Sequence, residues 1–445
     1  MNTSQSLRKA RYRAIMVSVP SNTMEFYDTT IYAFFAIYFA GHFFPSDNQL
    51  ISQISAYAVF GLSFFVRPFG GILVSYYADK IGRKPIVAGL TLVMALTTGL
   101  VGLLPTYAQA GMLAPILLIL LRLIQAVAIG GLFSTTTAFL MEFAPPNRRG
   151  FFTSIQMLAQ ALAPIIANIV ALSMQYTIGH EAIVDVGWRL PFLIGFITAP
   201  LSYYIYKCVD ETPDFSDYIK KTELARSKSN VVQLTIGQTL RQPVYVAQIL
   251  RCIALNMVGT VSFYGVFVYL PGFIQSLLRL SDIQRYWISL ITPTFTLFGV
   301  ALSGYCSDKL SRKTVMLSGI TIFGIAFFSF FYYLTAGNAN YNGALIGMSI
   351  IGFSIGAHWG VVPIMFSESY PVAIRASAIS ITYNTGVVLF GAMTPTYLSI
   401  LTMFFGDTPM NPIIYIGTSI VVSFIAALVW RKASDLKVPE QLTLS

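Results

Sequence analysis

Charged residues are scarce in this chain. Only 10% of its 445 residues are Asp, Glu, Lys or Arg, whereas soluble globular proteins contain about 25%. Such a chain cannot cover a water-exposed surface, so a soluble fold is excluded. Cysteine and histidine are also rare, with three of each. Because the spacing of Cys208, Cys252 and Cys306 matches neither a disulfide framework nor a metal motif, we expect no disulfide, metal ion or cofactor.

Hydrophobic residues make up 55% of the chain. They occur in runs of about 20 residues, the length that crosses roughly 30 Å of hydrocarbon as an α-helix. The sequence therefore predicts an all-α membrane protein with twelve transmembrane helices. The predicted spans are 14–41, 54–78, 86–104, 112–140, 152–177, 188–207, 247–277, 284–305, 314–335, 343–367, 377–404 and 411–430.

The basic residues are unevenly distributed among the loops between these spans. Clusters precede span 1, follow spans 2, 4, 8 and 12, and occur in the long loop after span 6. Five of the six loops on the other side contain no Lys or Arg. By the positive-inside rule, both termini are predicted to be cytoplasmic. The net charge of +10 is then a topology signal, and no nucleic acid partner is expected.

The two halves of the chain repeat one another. Asp79 and Lys80 after span 2 correspond to Asp308 and Lys309 after span 8, at an offset of 229 residues. A Glu–Arg pair seven residues apart follows spans 4 and 10, at an offset of 226 residues. Secondary transporters are often built from such repeats, with the substrate bound between them. We predict two pseudo-symmetric six-helix bundles, residues 1–207 and 244–445, joined by a cytoplasmic linker, 208–243.

At these motifs the sequence resembles the major facilitator superfamily, whose best-known signature is the D-K-x-G-R-K turn at 79–84. Within it, the chain is similar to the metabolite:proton symporters, which include bacterial transporters of proline/betaine, citrate, 2-oxoglutarate and shikimate. The similar motifs are 21–29 in span 1, Phe64 to Gly71 in span 2, and Arg122 with Gln125 in span 4. The chain departs from that family at Leu132, where an acid is usual. The resemblance implies a multi-pass protein of the bacterial inner membrane, and we expect a monomer.

Four ionic residues are predicted near the middle of the first bundle. Glu25 and Asp28 lie three residues apart on one face of span 1, with Arg67 in span 2 and Arg122 in span 4 at similar depth. Charges in the bilayer are costly and are usually paired and functional. We predict that the two acids couple to protons. The predicted substrate-binding residues are Arg67, Arg122, Gln125 and Tyr32. The alternative is a fixed ion-pair network that only locks spans 1, 2 and 4 together.

One histidine, His358, is predicted deep in span 10. Subtracting the repeat offset of 226 places it opposite Leu132, where the related family has its acid. An imidazole titrates near neutral pH, so His358 is a third candidate for proton coupling. The alternative is a hydrogen bond that packs two helices. Tyr27, Tyr264 and Tyr383 are further candidates for the wall of the cavity.

The repeated turn motifs are predicted to form the gate. Gly82 permits a tight turn, Asp79 can pair across to a neighbouring helix, and Glu142 can pair with Arg149. The resemblance implies that these contacts hold one gate state and break in the other, whereas the alternative is a purely structural turn. The predicted gating residues are Asp79, Lys80, Gly82, Arg83, Glu142, Arg149, Asp308, Lys309, Arg312, Glu368 and Arg375.

Together these features predict a proton-coupled symporter that works by alternating access. Its partners would be protons, the lipid bilayer and a small polar metabolite, either an organic acid or a zwitterion such as proline or betaine. An exporter or uniporter on the same fold is one alternative, and a receptor that moves nothing is another. No metal spacing, nucleophile elbow or phosphate loop indicates an enzyme.

Overall fold

The computed structural model describes residues 3–208, 211–212, 237, 240–337, 339–406 and 408–436. Within these ranges every regular element is helical and there is no β-strand. The predicted linker, 208–243, falls almost wholly outside the described residues. The domain boundaries therefore stay a prediction.

The N-terminal half contains six spans, and five of them are single helices, with or without an internal proline. These are α1 (Thr3–Phe43), α2 (Gln49–Ile81), α3 (Arg83–Leu103) and α4 (Leu113–Phe143), followed by α5 (Arg149–Thr177). Span α6 is broken into the helix Leu190–Leu193, the 3-10 turn Ile194–Thr198 and the helix Ala199–Cys208. Short segments between the spans are Tyr107–Ala110, Pro146–Arg148, Gly179–Asp185 and Gly187–Arg189.

The C-terminal half repeats this order with more interruptions. Span α7 comprises Pro243–Ser262, a π-helical segment Phe263–Tyr269, and Leu270–Leu278. Spans α8 (Asp282–Lys309), α9 (Arg312–Thr335) and α12 (Met410–Leu428) are continuous. Span α10 comprises Tyr341–Trp359 and Val362–Glu368. Span α11 comprises Arg375–Gly386, a π-helical segment Val387–Ala392, and Thr394–Phe405. Two 3-10 turns are Val372–Ile374 and Ala433–Asp435.

Most of these spans are apolar enough to cross a membrane unaided. Among the described residues ten helices meet that condition, and eleven do if Gly179–Asp185 and Gly187–Cys208, bent by 71°, count as one span. The twelfth is α1, which is long enough at 41 residues but polar in its middle. Its polar side chains are buried inside the bundle rather than facing lipid. The twelve-helix architecture predicted from the sequence is therefore consistent with the structure.

The two halves use the same close packing between corresponding helices. A Cβ atom on Gly130 of α4 would lie 2.2 Å from the carbonyl oxygen of Arg67 in α2. A Cβ atom on Gly356 of α10 would lie 2.3 Å from the carbonyl oxygen of Thr296 in α8. Small residues allow helix backbones in membranes to approach closely. The repeat in the sequence is thus matched by a repeat in the packing.

One face of the molecule collects the basic turns. We call it the basic face, and it comprises the turns α2–α3, α4–α5, α8–α9 and α10–α11 with the ends of α6 and α12. Hydrogen bonds tie these parts together, for example from Arg83 to the Val372 carbonyl (3.1 Å) and from Gly150 N to Asp308 (2.7 Å). Arg13 of α1 donates to the carbonyl of Cys208 on the same face (2.9 Å). The opposite face carries His42, which bonds to the Val184 carbonyl.

Candidate functional site

A cavity lies between the two bundles, bounded by α1, α4 and α5 on one side and by α7, α10 and α11 on the other. Its volume is about 30 Å³, enough for about two water molecules. The conformation is therefore contracted around the site. The lining residues are Phe26, Phe133, Met157, Gln160, Asn256, Gly259, Thr260, Phe263, Tyr264, Trp359, Val362, Tyr383 and Val387.

Glu25 is buried next to this cavity and its carboxylate is unpaired. Glu25 is only 1% exposed, and neither Oε1 nor Oε2 has a hydrogen-bond partner among the described residues. Arg67, Tyr264 and Tyr383 interact with it electrostatically. An isolated carboxylate without hydrogen bonds is costly to bury, and a proton removes the charge. Its surroundings therefore fit a group that takes up and releases a proton.

Asp28, one turn further along α1, has the opposite environment. Its Oδ2 accepts a hydrogen bond from Arg122 (2.7 Å), and its Oδ1 accepts from Thr98 (2.9 Å) and Gln125 (2.9 Å). The guanidinium group of Arg122 also lies 3.8 Å from the ring centre of Tyr32. All these groups belong to the first bundle. The structure thus brings the predicted acid, arginine and glutamine together, as a network that joins α1, α3 and α4.

Arg67 and Tyr32, both predicted to bind substrate, contact residues of the first bundle, and Arg67 also interacts with Tyr264 of the second bundle. Arg67 donates to the hydroxyl of Thr29 (3.3 Å), and its guanidinium carbon lies 4.1 Å from the ring centre of Phe64. The Tyr32 hydroxyl donates to the carbonyl of Ala56 (2.9 Å). Neither residue lines the cavity in this conformation. Of the tyrosines proposed for the wall, Tyr264 and Tyr383 line it.

His358 is fully buried at the contact between α9 and α10. Its ring centre lies 5.3 Å from that of Phe323, and Nδ1 lies 3.3 Å from the carbonyl oxygen of Ser354. The cavity is lined instead by its neighbour Trp359. This position fits a helix-packing role better than contact with substrate.

Two aspartates of the repeated turns cap helices of the opposite bundle. Asp79 accepts from the backbone N–H groups of Ala376 (3.3 Å) and Ser377 (2.9 Å), in the first turn of α11. Asp308 accepts from those of Gly150 (2.7 Å) and Phe151 (2.9 Å), in the first turn of α5. Backbone donors at a helix N-terminus are otherwise unsatisfied and carry a partial positive charge. These bonds therefore hold the bundles together at the basic face.

The buried Glu142 adds a second connection. It pairs with Arg83 (3.3 Å) of its own bundle and Arg375 (3.1 Å) of the other, and it accepts a hydrogen bond from Thr212. The predicted pairing of Glu142 with Arg149 is not formed in this conformation and stays a prediction for another state of the gate. The reason is that Arg375 reaches across the interface and, with Arg83, already neutralises the carboxylate.

The corresponding glutamate of the second half makes different contacts. Glu368 pairs with Arg312 (3.4 Å) and Lys432 (3.4 Å), both from its own bundle. Among the ion pairs of the described residues, none joins Glu368 to Arg149, the counterpart of Arg375. In the gate, the two equivalent aspartates make the same kind of contact across the interface, whereas the two equivalent glutamates do not.

The remaining gating candidates have simpler positions. Gly82 has a φ of 112° and forms the cap before α3, a conformation that favours glycine. Glycine has no side chain to cap the helix, and the carboxylate of Glu211 does so instead by accepting a hydrogen bond from the backbone N–H of Arg83 (3.0 Å). The ammonium groups of Lys80 and Lys309 lie near the rings of tyrosines on their own helices.

Two cavity residues, Gln160 and Asn256, were not predicted from the sequence. Both are 3% exposed, and they come from opposite bundles. The side-chain nitrogen of Asn256, Nδ2, has no hydrogen-bond partner among the described residues, whereas the side chain of Gln160 interacts with the hydroxyl of Tyr383. The available signal was an amide side chain inside an otherwise apolar span, since polar groups at that depth are often functional.

Comparisons with known proteins place this arrangement in a family. The model of the Major Facilitator Superfamily matches residues 20–395. A citrate-proton symporter of Salmonella typhi is 29% identical over 91% of this chain and 91% of its own. A proline/betaine transporter of Salmonella typhimurium is 27% identical over 95% of this chain and 84% of its own. The relatives are thus named as transporters rather than enzymes.

Solved structures with the same fold are also known. The proton:xylose symporter XylE bound to 6-bromo-6-deoxy-D-glucose aligns with a TM-score of 0.78 at 17% identity, covering 95% of this chain and 96% of that one. The inward-open conformation of XylE from E. coli aligns with a lower TM-score of 0.64, at 18% identity over 97% and 99% of the two chains. With the family model matching most of its length, the chain belongs to the major facilitator superfamily.

Proposed function

We propose that this protein is a proton-coupled symporter that moves a small polar metabolite by alternating access. The observation that carries the proposal is the buried Glu25, whose carboxylate has no hydrogen-bond partner among the described residues. It adjoins a cavity between two bundles that are bonded to each other at the basic face. The names of the citrate-proton and proline/betaine relatives support the same reading.

In this mechanism Glu25 carries the proton and Asp28 has a positioning role. Asp28 neutralises Arg122 and keeps α1, α3 and α4 in register. Arg67 balances Glu25 electrostatically when the carboxylate is ionised. Rocking of the bundles would break the caps formed by Asp79 and Asp308 and open the cavity to the basic face. His358 is assigned no proton, because it lies away from the cavity.

The orientation and the site in the cell belong to the same proposal. The positive-inside rule makes the basic face cytoplasmic, with both termini on that side. We infer a location in a bacterial inner membrane, because the relatives are bacterial transporters. The linker, 208–243, would join the bundles 1–207 and 244–445 in the cytoplasm. A monomer suffices, since one chain supplies both walls of the cavity.

Uptake into proteoliposomes tests this function. Radiolabelled citrate, proline and glycine betaine are offered with and without an imposed gradient that is acidic outside. For the transported compound we expect gradient-driven accumulation, which Glu25→Gln reduces at least tenfold while leaving counterflow exchange intact. His358→Gln is the matched comparison and should keep the accumulation.

Two results would refute the proposal. Uptake that only equilibrates the compound and is indifferent to the proton gradient would indicate a uniporter, and gradient-driven movement in the opposite direction would indicate an exporter. If His358→Gln loses the coupling to protons while Glu25→Gln keeps it, then His358, rather than Glu25, carries the proton.

A further inference from the structure

A groove between α9 and α10 lies within the second bundle, apart from the central cavity. Its volume is about 560 Å³, whereas that of the central cavity is about 30 Å³. All the described residues that line the groove belong to α9 or α10, and all of them are uncharged. The proposed symport uses none of these residues, so the groove requires an explanation of its own.

Two glycines one turn apart on α10 shape the floor of the groove. A Cβ atom on Gly343 would collide with the hydroxyl group of Tyr333, and a Cβ atom on Gly347 would collide with the ring of Phe330. The two rings of α9 therefore rest directly on the backbone of α10, a close approach that small residues permit between membrane helices. An additional side chain would not fit between the two helices at this floor.

Four isoleucines flank the floor and form the walls of the groove. They are between 46% and 64% exposed and come in equal numbers from α9 and α10: Ile322, Ile325, Ile346 and Ile350. In a soluble protein such an exposed apolar patch would indicate a binding surface. On two membrane spans it faces hydrocarbon. The groove is therefore continuous with the surface that the bundle presents to lipid.

The groove is about as long as one leaflet of the bilayer is thick. It extends along α9 from Tyr333, two residues before the end of that helix, back to Ile322. At 1.5 Å per residue this length is about 16 Å, and half of the hydrocarbon thickness is about 15 Å. Because α9 begins at the basic face with Arg312, the groove lies in the leaflet opposite that face.

The occupant of such a groove must be apolar and lie parallel to the helices. An unfilled groove would leave its lining atoms without contact partners, and acyl chains are the molecules that surround the spans at this depth. The connection between α9 and α10, residues 336–340, contains no Asp, Glu, Lys or Arg. No charge at the open end of the groove therefore selects a headgroup, and the acyl chain is the part that is recognised.

We propose that the groove between α9 and α10 binds one phospholipid of the leaflet opposite the basic face. One acyl chain lies along the groove against Phe330 and between the isoleucines, and the headgroup lies near Tyr333 and Gly343. Both helices belong to the second bundle, so rocking of the bundles does not disturb the site. The bound lipid stabilises the contact between α9 and α10 and is independent of substrate and protons.

Native mass spectrometry of the full chain, stripped of lipid in detergent, tests the binding. The probes are dioleoylphosphatidylethanolamine, dioleoylphosphatidylglycerol and the short-chain dihexanoylphosphatidylethanolamine. We expect one bound molecule of either dioleoyl lipid, with affinities within about threefold of each other because no charge selects the headgroup. The short-chain lipid should bind at least about tenfold more weakly, since its chains fill only part of the groove.

A variant that fills the groove locates the site. Ser329 lines the groove and is exposed, so Ser329→Phe places a ring where the acyl chain lies. Thr418→Phe is the matched control, because Thr418 is an exposed hydroxyl residue of α12 that does not line the groove. Ser329→Phe should weaken the binding of dioleoylphosphatidylethanolamine at least about tenfold, and Thr418→Phe should leave it unchanged. Both variants should unfold at the temperature of the wild type without lipid, and only Ser329→Phe should lose the rise in Tm that added lipid produces.

Three results would overturn the inference. Equal lipid binding by Ser329→Phe and Thr418→Phe would place the lipid elsewhere. A preference of tenfold or more for phosphatidylglycerol would indicate binding by charge at another surface. Disulfide-linked dimers of Ser329→Cys in membranes, in a background without Cys208 and Cys306, would mean that a second copy of the chain occupies the groove. None of these results bears on the proposed symport, because none of them involves substrate or protons.

Discussion

Two carboxylates one turn apart on α1 have opposite surroundings. Asp28 accepts three hydrogen bonds, whereas the carboxylate of Glu25 accepts none from the described residues. The sequence predicted the depth of both acids and their proximity to arginines. It could not predict which acid is free, because that depends on donors 70 and 97 residues away, Thr98 and Gln125.

The difference predicts unequal effects on stability. Asp28→Asn removes the partner of Arg122 and leaves a buried guanidinium group unpaired, which typically lowers the free energy of unfolding by about 3–5 kcal/mol. Glu25→Gln makes the same chemical change and breaks no hydrogen bond with the described residues, so it is the control. Thermal unfolding in detergent should show a clearly lower Tm for Asp28→Asn only. Equal Tm values in the two variants would contradict the network.

At the scale of the helix, α5 and α11 each begin under an aspartate of the opposite bundle. The sequence placed Asp79 and Asp308 in equivalent turns and predicted a gate. The partner helices could not be predicted, since the bonded backbone groups lie 297 and 158 residues away for Asp79 and Asp308. The π-helical segments of α7 and α11 were also missed, although they bring Phe263, Tyr264 and Val387 to the cavity. Such segments replace one hydrogen-bond pattern with another and leave no periodic signal.

Removing both caps should open the basic face. An N-cap side chain typically contributes about 1 kcal/mol relative to alanine, so Asp79→Ala with Asp308→Ala should shift the population toward separated bundles about tenfold or more. Spin labels at Ile81 and Leu310, exposed at the ends of α2 and α8, would report the distance by pulsed electron resonance after Cys208 and Cys306 are replaced. The double variant should gain a longer distance.

The control for this experiment is Asp185→Ala, which removes an exposed carboxylate in the segment Gly179–Asp185 on the opposite face. It changes the charge by the same amount per site and removes no contact between the bundles. If the distance distribution of the double variant matches that of the control, the aspartates do not hold the gate.

Across the whole molecule, the two halves match more closely in their fold than in the burial and pairing of their equivalent charged residues. Equivalent glycines pack α2 against α4 and α8 against α10. The glutamates differ, because Glu142 has a side-chain exposure of 0% and binds across the interface. Glu368 has a side-chain exposure of 15%, and its partner Lys432 is 47% exposed. Sequence symmetry could not reveal this, since burial depends on how the bundles are tilted against each other.

The two glutamates should therefore respond differently to the same substitution. Glu142→Gln removes a fully buried carboxylate that pairs with Arg83 and, across the interface, with Arg375, so the free energy of unfolding should fall by about 3–5 kcal/mol. Glu368→Gln removes partly solvated pairs and should lower it by about 1 kcal/mol or less. Unfolding of both variants in one detergent at one pH makes the comparison direct. Equal losses would mean that the gate is symmetric in the membrane and that the unequal burial of the two glutamates has no energetic effect.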